Sequence, residues 1–171
     1  MKLVLPQPII KRLKNELRGR RHEIGGVLVG ENLGDDVFRL IDISFQSSGG
    51  SVVHFVRDPE HHKAFLAEFF ARTGNDYRKF NYIGEWHSHP GFEPRPSGED
   101  VATMFELVED PAVGVNFAIL IIARLLRWNQ LQISATLFRP GIMPESITVE
   151  VEGDEERTAS VFSWFIAFIR K

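Results

Sequence analysis

Two histidines two residues apart open the chemistry of this chain: Gly84-Glu85-Trp86-His87-Ser88-His89-Pro90, followed by Ser97-Gly98-Glu99-Asp100. On a strand, residues i and i+2 share a face, so His87 and His89 can aim both imidazoles at one point while Ser88 turns away. Pro90 has no N–H to give to a ladder and ends the strand. Gly91 to Pro96 is turn chemistry. Ser97 then opens an apolar-periodic segment (Val101, Met104, Phe105, Val108) that predicts a helix over Ser97 to Val108 with Ser97 as N-cap. Asp100 falls near the first turn, where a negative side chain is favoured. S-x-x-D also reads as a variant of the capping box. Two neutral imidazoles and one carboxylate make a three-donor set of the kind that holds catalytic zinc and leaves one position open. The bland reading of the same residues is a hydrogen-bonded histidine pair beside a helix cap.

The spacing H-S-H-P, six residues, S-x-x-D resembles the signature of the JAMM (JAB1/MPN/Mov34) metallopeptidase family. That family also carries an upstream glutamate before a glycine-rich strand. His22-Glu23-Ile24-Gly25-Gly26-Val27-Leu28-Val29-Gly30 looks like this element, with Glu23 in the catalytic position. The resemblance implies that His87, His89 and Asp100 hold one Zn2+ per chain, that Glu23 is the general base, and that Ser97 offers its hydroxyl to the developing oxyanion. It implies an MPN/JAB fold of the α/β (α+β) class: a curved mixed β-sheet with helices on its faces, a cytidine-deaminase-like three-layer arrangement. It also implies cleavage of the amide bond after the C-terminal glycine of a ubiquitin-like protein, by deconjugation or precursor processing. The wording is similar to small prokaryotic members found with activating-like and conjugating-like enzymes, including anti-phage (CBASS-type) operons. Two other readings stand beside it: a RadC-like JAB protein in DNA transactions, with the basic first helix as its support, and a non-catalytic MPN scaffold.

Composition narrows the field. The chain has 171 residues, 43% hydrophobic, with a net charge of −3. That suits a single domain over 1–171 with an ordinary core, and gives no global field toward nucleic acid or membrane. There are no cysteines, so disulfides, thiolate ligands and a cysteine nucleophile are excluded. The longest apolar run, Phe117 to Ala123, is far short of the ~20 residues a spanning helix needs. Met1 to Leu5 runs at once into Pro6 and Pro8 and shows no secretory leader; a cytoplasmic protein is expected. H-E-x-x-H, P-loop, G-x-G-x-x-G and G-x-S-x-G motifs are missing from the sequence.

The elements that must position the site read as follows. Pro6 to Arg21 predicts an amphipathic helix with Ile10, Leu13 and Leu17 inward and a basic outer face. Gly25–Glu31 and Val37–Phe45 predict a hairpin around Asn32 to Asp36. A polar loop at Gln46–Ser51 and a brief strand at Val52–Val56 follow. Asp58-Pro59 starts a helix running to about Arg72. His61 and His62, adjacent on that helix, do not converge on an ion and read as surface histidines. His54 reads as a strand-end residue. Glu85, on the face of His87 and His89, reads as a supporting or structural group rather than a ligand. Val115 to Ala123 predicts a strand covered on both faces. Leu125 to Phe138 predicts another strand, with a turn near Arg124–Arg127. Pro140, Gly141 and Pro144 read as loop, and Ile147–Val151 as an edge strand. Asp154 to Glu156 leads into a final apolar helix over Arg157–Arg170.

Overall fold

The computed structural model describes residues 1–47 and 59–153. The readings at His54, Val52–Val56, Asp58 and 154–170 lie outside the described residues. Among the described residues, eight strands and three α-helices follow one another as β1 (Lys2–Leu5), α1 (Gln7–Leu17), β2 (Gly25–Gly34), β3 (Val37–Ile43), α2 (Pro59–Arg72), β4 (Phe80–Ser88), α3 (Gly98–Glu109), β5 (Ala118–Leu125), β6 (Leu131–Arg139), β7 (Ile142–Ser146) and β8 (Thr148–Val151). All the strands form one mixed sheet in the order β7-β6-β5-β4-β2-β3-β1-β8. β4 and β5 run parallel, and β2 pairs antiparallel with β3 and β4.

Strand β5 shows why helices must cover both faces. Ile119, Ile121 and Ala123 join one apolar cluster with Ile9, Ile10, Leu13 and Leu17 of α1. Ala118, Leu120 and Ile122 join a second with Met104 and Val108 of α3. Alternate residues of a strand point to opposite faces, so α1 and α3 lie on opposite sides of the sheet. The expected mixed sheet with helices on its faces is what forms. Helix α2 packs over β2 and β4 and buries Phe69. Asp42 of β3 ties α1 to α2, accepting from Arg12 at 2.7 Å and from Arg72 at 2.8 Å.

Several boundaries differ from the expectations. Helix α1 stops at Leu17, not Arg21; Gly19, at φ +73°, turns the chain toward β2. The segment read only as a missing leader is β1, seated between β3 and β8 with Leu3 and Leu5 fully buried. The turn after β5 falls at Leu126–Gln130, later than expected, so β6 begins at Leu131. The segment read as a loop around Pro144 is strand β7. It is an edge strand, where a proline costs no ladder bond.

One glycine sets the geometry of the strand that carries the histidines. Gly84 adopts φ +144°, and a Cβ there would lie 1.9 Å from the Ile119 carbonyl oxygen. Only glycine takes up this conformation at this packing distance. A bulge falls here, between the β2 partners Leu28 and Val29. It lets Ile83 and Trp86, three residues apart, enter the same cluster.

Candidate metal centre

The β2–β4 register builds the site. Gly25 pairs with His87 and Gly26 with Trp86. Continued by one step and then another, the ladder sets Ile24 opposite Ser88 and Glu23 opposite His89. Cross-strand partners share a face, so the Glu23 side chain rises on the same side as the two imidazoles. Gly25, opposite His87, adds no side chain to compete for that space. On the other flank of β4, His89 donates its N–H to the Ala123 carbonyl of β5 at 2.9 Å, which anchors the strand end beyond its last ladder residue.

Glu23, His87 and His89 are all buried, with donor atoms within 4.8 Å of one another. The two Nε2 atoms lie 3.1 Å apart. Asp100 approaches from the first turn of α3, its Oδ1 3.4 Å from His87 Nε2 and its Oδ2 4.0 Å from His89 Nε2. Glu23 Oε1 is 3.9 Å from His89 Nε2. Three of the sequence-selected residues, Glu23, His87 and His89, therefore form one close set, and a fourth, Asp100, stands against the two imidazoles. The fifth, Ser97, is exposed and lines the same open cleft of about 430 Å3, together with Phe92, Glu93 and Arg95.

Asp100 is held by a reciprocal cap. Its N–H donates to Ser97 Oγ at 3.1 Å, and its Oδ2 accepts from the Ser97 N–H at 2.6 Å. The two readings of S-x-x-D are thus compatible: Oδ2 serves the cap while Oδ1 faces His87. Ser97 Oγ accepts in this cap, so its own proton can still be donated elsewhere.

The tautomer of His89 follows from its surroundings. Its Nδ1 lies 2.9 Å from the Glu93 carbonyl oxygen. A carbonyl only accepts, so Nδ1 carries the proton and the neutral ring turns its Nε2 lone pair into the cluster. This is the outer support that a metal-binding histidine needs. The donor set, two imidazoles and carboxylate oxygens without thiolate, fits a borderline cation such as Zn2+. Separations of 3.1 and 3.4 Å also match the edge of a tetrahedron with bonds of about 2.1 Å, roughly 3.4 Å.

Burial pushes the Glu23 carboxyl up to about 7, and the nearby Asp100 charge adds to the rise. The group is therefore poised to gain or lose a proton near neutrality.

Other residues fall elsewhere. Glu85 accepts from Tyr82 Oη at 3.3 Å and is not among the groups that converge. His62 is not a surface histidine. It is fully buried, with Nδ1 2.8 Å from Ser44 Oγ and Nε2 3.0 Å from Gln46 Oε1. Helical spacing gave no sign of this, because no periodicity shows which polar residues a helix will meet across the sheet. The Glu93 carbonyl and the Ser44 and Ser88 hydroxyls were likewise not singled out as supports. Only Ser88 left a trace in the sequence, as the residue between two histidines that must face inward.

The chain is similar to known proteins in fold and in sequence. The solution structure of protein DSY2949 from Desulfitobacterium hafniense superposes with a TM-score of 0.66 over 88% of this chain and 92% of that one; at 20% identity it shows the shared fold. The chain is 31% identical over 109 residues to the 26S proteasome non-ATPase regulatory subunit 14 of Caenorhabditis elegans, covering 63% of this chain and 34% of that protein. It is 29% identical over 109 residues to the ubiquitin carboxyl-terminal hydrolase RPN11 of Saccharomyces cerevisiae, covering 63% and 35%. It is 36% identical over 80 residues to the CD-NTase/cGAS isopeptidase of Vibrio cholerae, covering 46% and 49%. The matched regions span about a third to a half of these relatives. Residues 9–135 match the family described as prokaryotic homologs of the JAB domain. That match runs from α1 into β6, across Glu23 just before β2, His87 and His89 at the end of β4 and just past it, and Asp100 in the first turn of α3, and the chain belongs to the prokaryotic JAB-domain family.

Proposed function

We propose that this chain is a zinc-dependent isopeptidase that hydrolyses the amide bond after the C-terminal glycine of a ubiquitin-like protein. The observation that carries the reading is the buried cluster of Glu23, His87 and His89, with Asp100 Oδ1 3.4 Å from His87 Nε2, beside an open cleft that Glu23, His89 and Asp100 line. In this reading His87, His89 and Asp100 hold the ion. The 3.4 Å separation of Asp100 Oδ1 from His87 Nε2 supports Asp100 as the third ligand. Glu23 Oε1 stands 3.9 Å from His89 Nε2, and the family resemblance assigns it the part of the base. A bound Zn2+ supplies a Lewis acid that polarises the amide carbonyl and brings the pKa of water down to about 7.

Glu23 then takes the proton of the attacking water and hands it to the leaving amine. Burial makes the Glu23 carboxylate more basic than an exposed one, the direction a general base needs. Ser97 donates its hydroxyl proton to the oxyanion that forms on the substrate carbonyl. A Gly-Gly tail suits the cleft because it lets the backbone approach the floor without a Cβ. The names of the yeast and Vibrio relatives, a ubiquitin carboxyl-terminal hydrolase and an isopeptidase, support the reaction class. The same reading places the chain in a bacterial ubiquitin-like conjugation system, with that system's activating and conjugating enzymes as partners, a role the family resemblance suggests.

The test uses the purified chain loaded with zinc and fusions of ubiquitin-like proteins ending in Gly-Gly. Cleavage after the last glycine, abolished by EDTA, restored by Zn2+ and lost in Glu23→Gln with zinc still bound, is the expected result. Wild-type turnover in Glu23→Gln would refute the assignment of the base.

A further inference from the structure

In a regular antiparallel ladder, opposed residues of a hydrogen-bonded pair exchange two backbone bonds. The last such pair before the site is Ile24 and Ser88. One bond is ordinary: the Ser88 N–H donates to the Ile24 carbonyl at 2.8 Å. The other is not. The Ile24 N–H donates to Ser88 Oγ at 3.0 Å, so the side-chain hydroxyl takes the place of the Ser88 carbonyl. Both residues are buried. Three positions back, the other flank of β2 uses the same device: the Val27 N–H donates to Ser44 Oγ at 2.9 Å, while the Ser44 N–H donates to the Val27 carbonyl at 3.1 Å. There the Ser44 carbonyl is taken by Trp86 Nε1 at 2.9 Å.

We propose that Ser88 is a positioning residue for Glu23. Its hydroxyl fixes where the chain leaves the β2–β4 ladder, and so where the Glu23 carboxyl stands above His89. Ser88 lies on the face opposite the imidazoles and touches none of the converging groups. It acts through the Ile24 backbone, one residue from Glu23. Removing the hydroxyl leaves a buried N–H without its acceptor and lets the strand slide toward a regular pairing. A shift of about 1 Å in a reacting group is enough to cost ~100-fold in rate. The activity readout rests on the function proposed above; the exchange and structural readouts do not.

The experiment compares zinc-loaded wild type, Ser88→Ala and Ser88→Thr by amide exchange of Ile24, zinc affinity in chelator competition, and kcat and KM on the ubiquitin-like fusion. In Ser88→Ala the Ile24 amide is expected to exchange at least tenfold faster, zinc affinity to stay within about threefold, and kcat to fall about 10- to 100-fold at unchanged KM. Ser88→Thr, which restores a hydroxyl, is expected to recover most of kcat. If the alanine variant does not fold, Ser88→Cys carries the test, since it keeps the volume but accepts weakly; wild-type kcat there overturns the proposal. So does wild-type kcat in Ser88→Ala with an unprotected Ile24, an Ile24 amide that stays protected, or a loss of kcat that merely tracks loss of zinc. Should the wild type cleave nothing, the proposed function fails alone. Crystal structures of the two variants then decide, with Glu23 displaced by more than about 1 Å in Ser88→Ala supporting the inference and an unmoved Glu23 overturning it.

Discussion

Glu23→Gln should make the metal-free protein more stable at pH 8 than at pH 5, relative to wild type. Burial and Asp100 raise the carboxyl from 4.5 to about 7, so the folded state binds its proton more tightly than the unfolded chain does. The stabilisation this gives is fully present below pH 4.5 and is lost as pH rises through 7. At ~1.36 kcal/mol per pH unit, the ceiling is about 3 kcal/mol. Glu23 lines an open cleft, where water screens part of the cost, so about 2 kcal/mol is expected. Glutamine keeps the shape and does not titrate. Urea unfolding of both proteins in EDTA, from pH 4 to 8, should show the stability gap in favour of glutamine opening between pH 4.5 and 7 and levelling off above. Added Zn2+ should narrow the gap, because a cation at the site favours the carboxylate. A gap that does not vary with pH, or a wild type more stable than the variant at pH 8, would refute the reasoning.

Three further substitutions probe the frame around the site. Gly84→Ala should cost about 4 kcal/mol or more and leave little soluble protein, because the new Cβ meets the Ile119 backbone at φ +144°; a urea midpoint near wild type would contradict this. His62→Leu removes one buried hydrogen-bond partner each from Ser44 and Gln46 and should lower stability by about 2 kcal/mol, read from the same unfolding curves. Ser97→Ala removes the acceptor of the Asp100 N–H and should cost about 1 kcal/mol. The backbone bond from Ser97 to Asp100 Oδ2 survives it, so zinc affinity in chelator competition should stay within a few fold, while turnover falls ~100-fold or more if the hydroxyl serves the oxyanion.

The site was legible because its residues obey short-range rules. A two-residue period put His87 and His89 on one face, and the cap pattern brought Asp100 to the start of a helix. Glu23 is a different case. Nothing local links it to His89, 66 positions away; only the family resemblance pointed to it, and the β2–β4 register supplies the physical reason. The strand β5 was readable from its unbroken apolar run. Strand β1 was not, since four residues carry too little periodicity. β7 was hidden by a proline that an edge strand tolerates. His62 was misplaced for a related reason. A helix pattern separates buried from exposed positions by apolarity, and a histidine satisfied by Ser44 and Gln46 is buried without being apolar.

The divided duty of Asp100 has a mechanical consequence. One oxygen closes the first turn of α3 while the other faces His87. Winding and unwinding of that turn therefore moves the same carboxylate that would grip an ion. Frayed ends and loaded ends are mutually exclusive, and cation occupancy should be audible as quieter amides along the opening of α3.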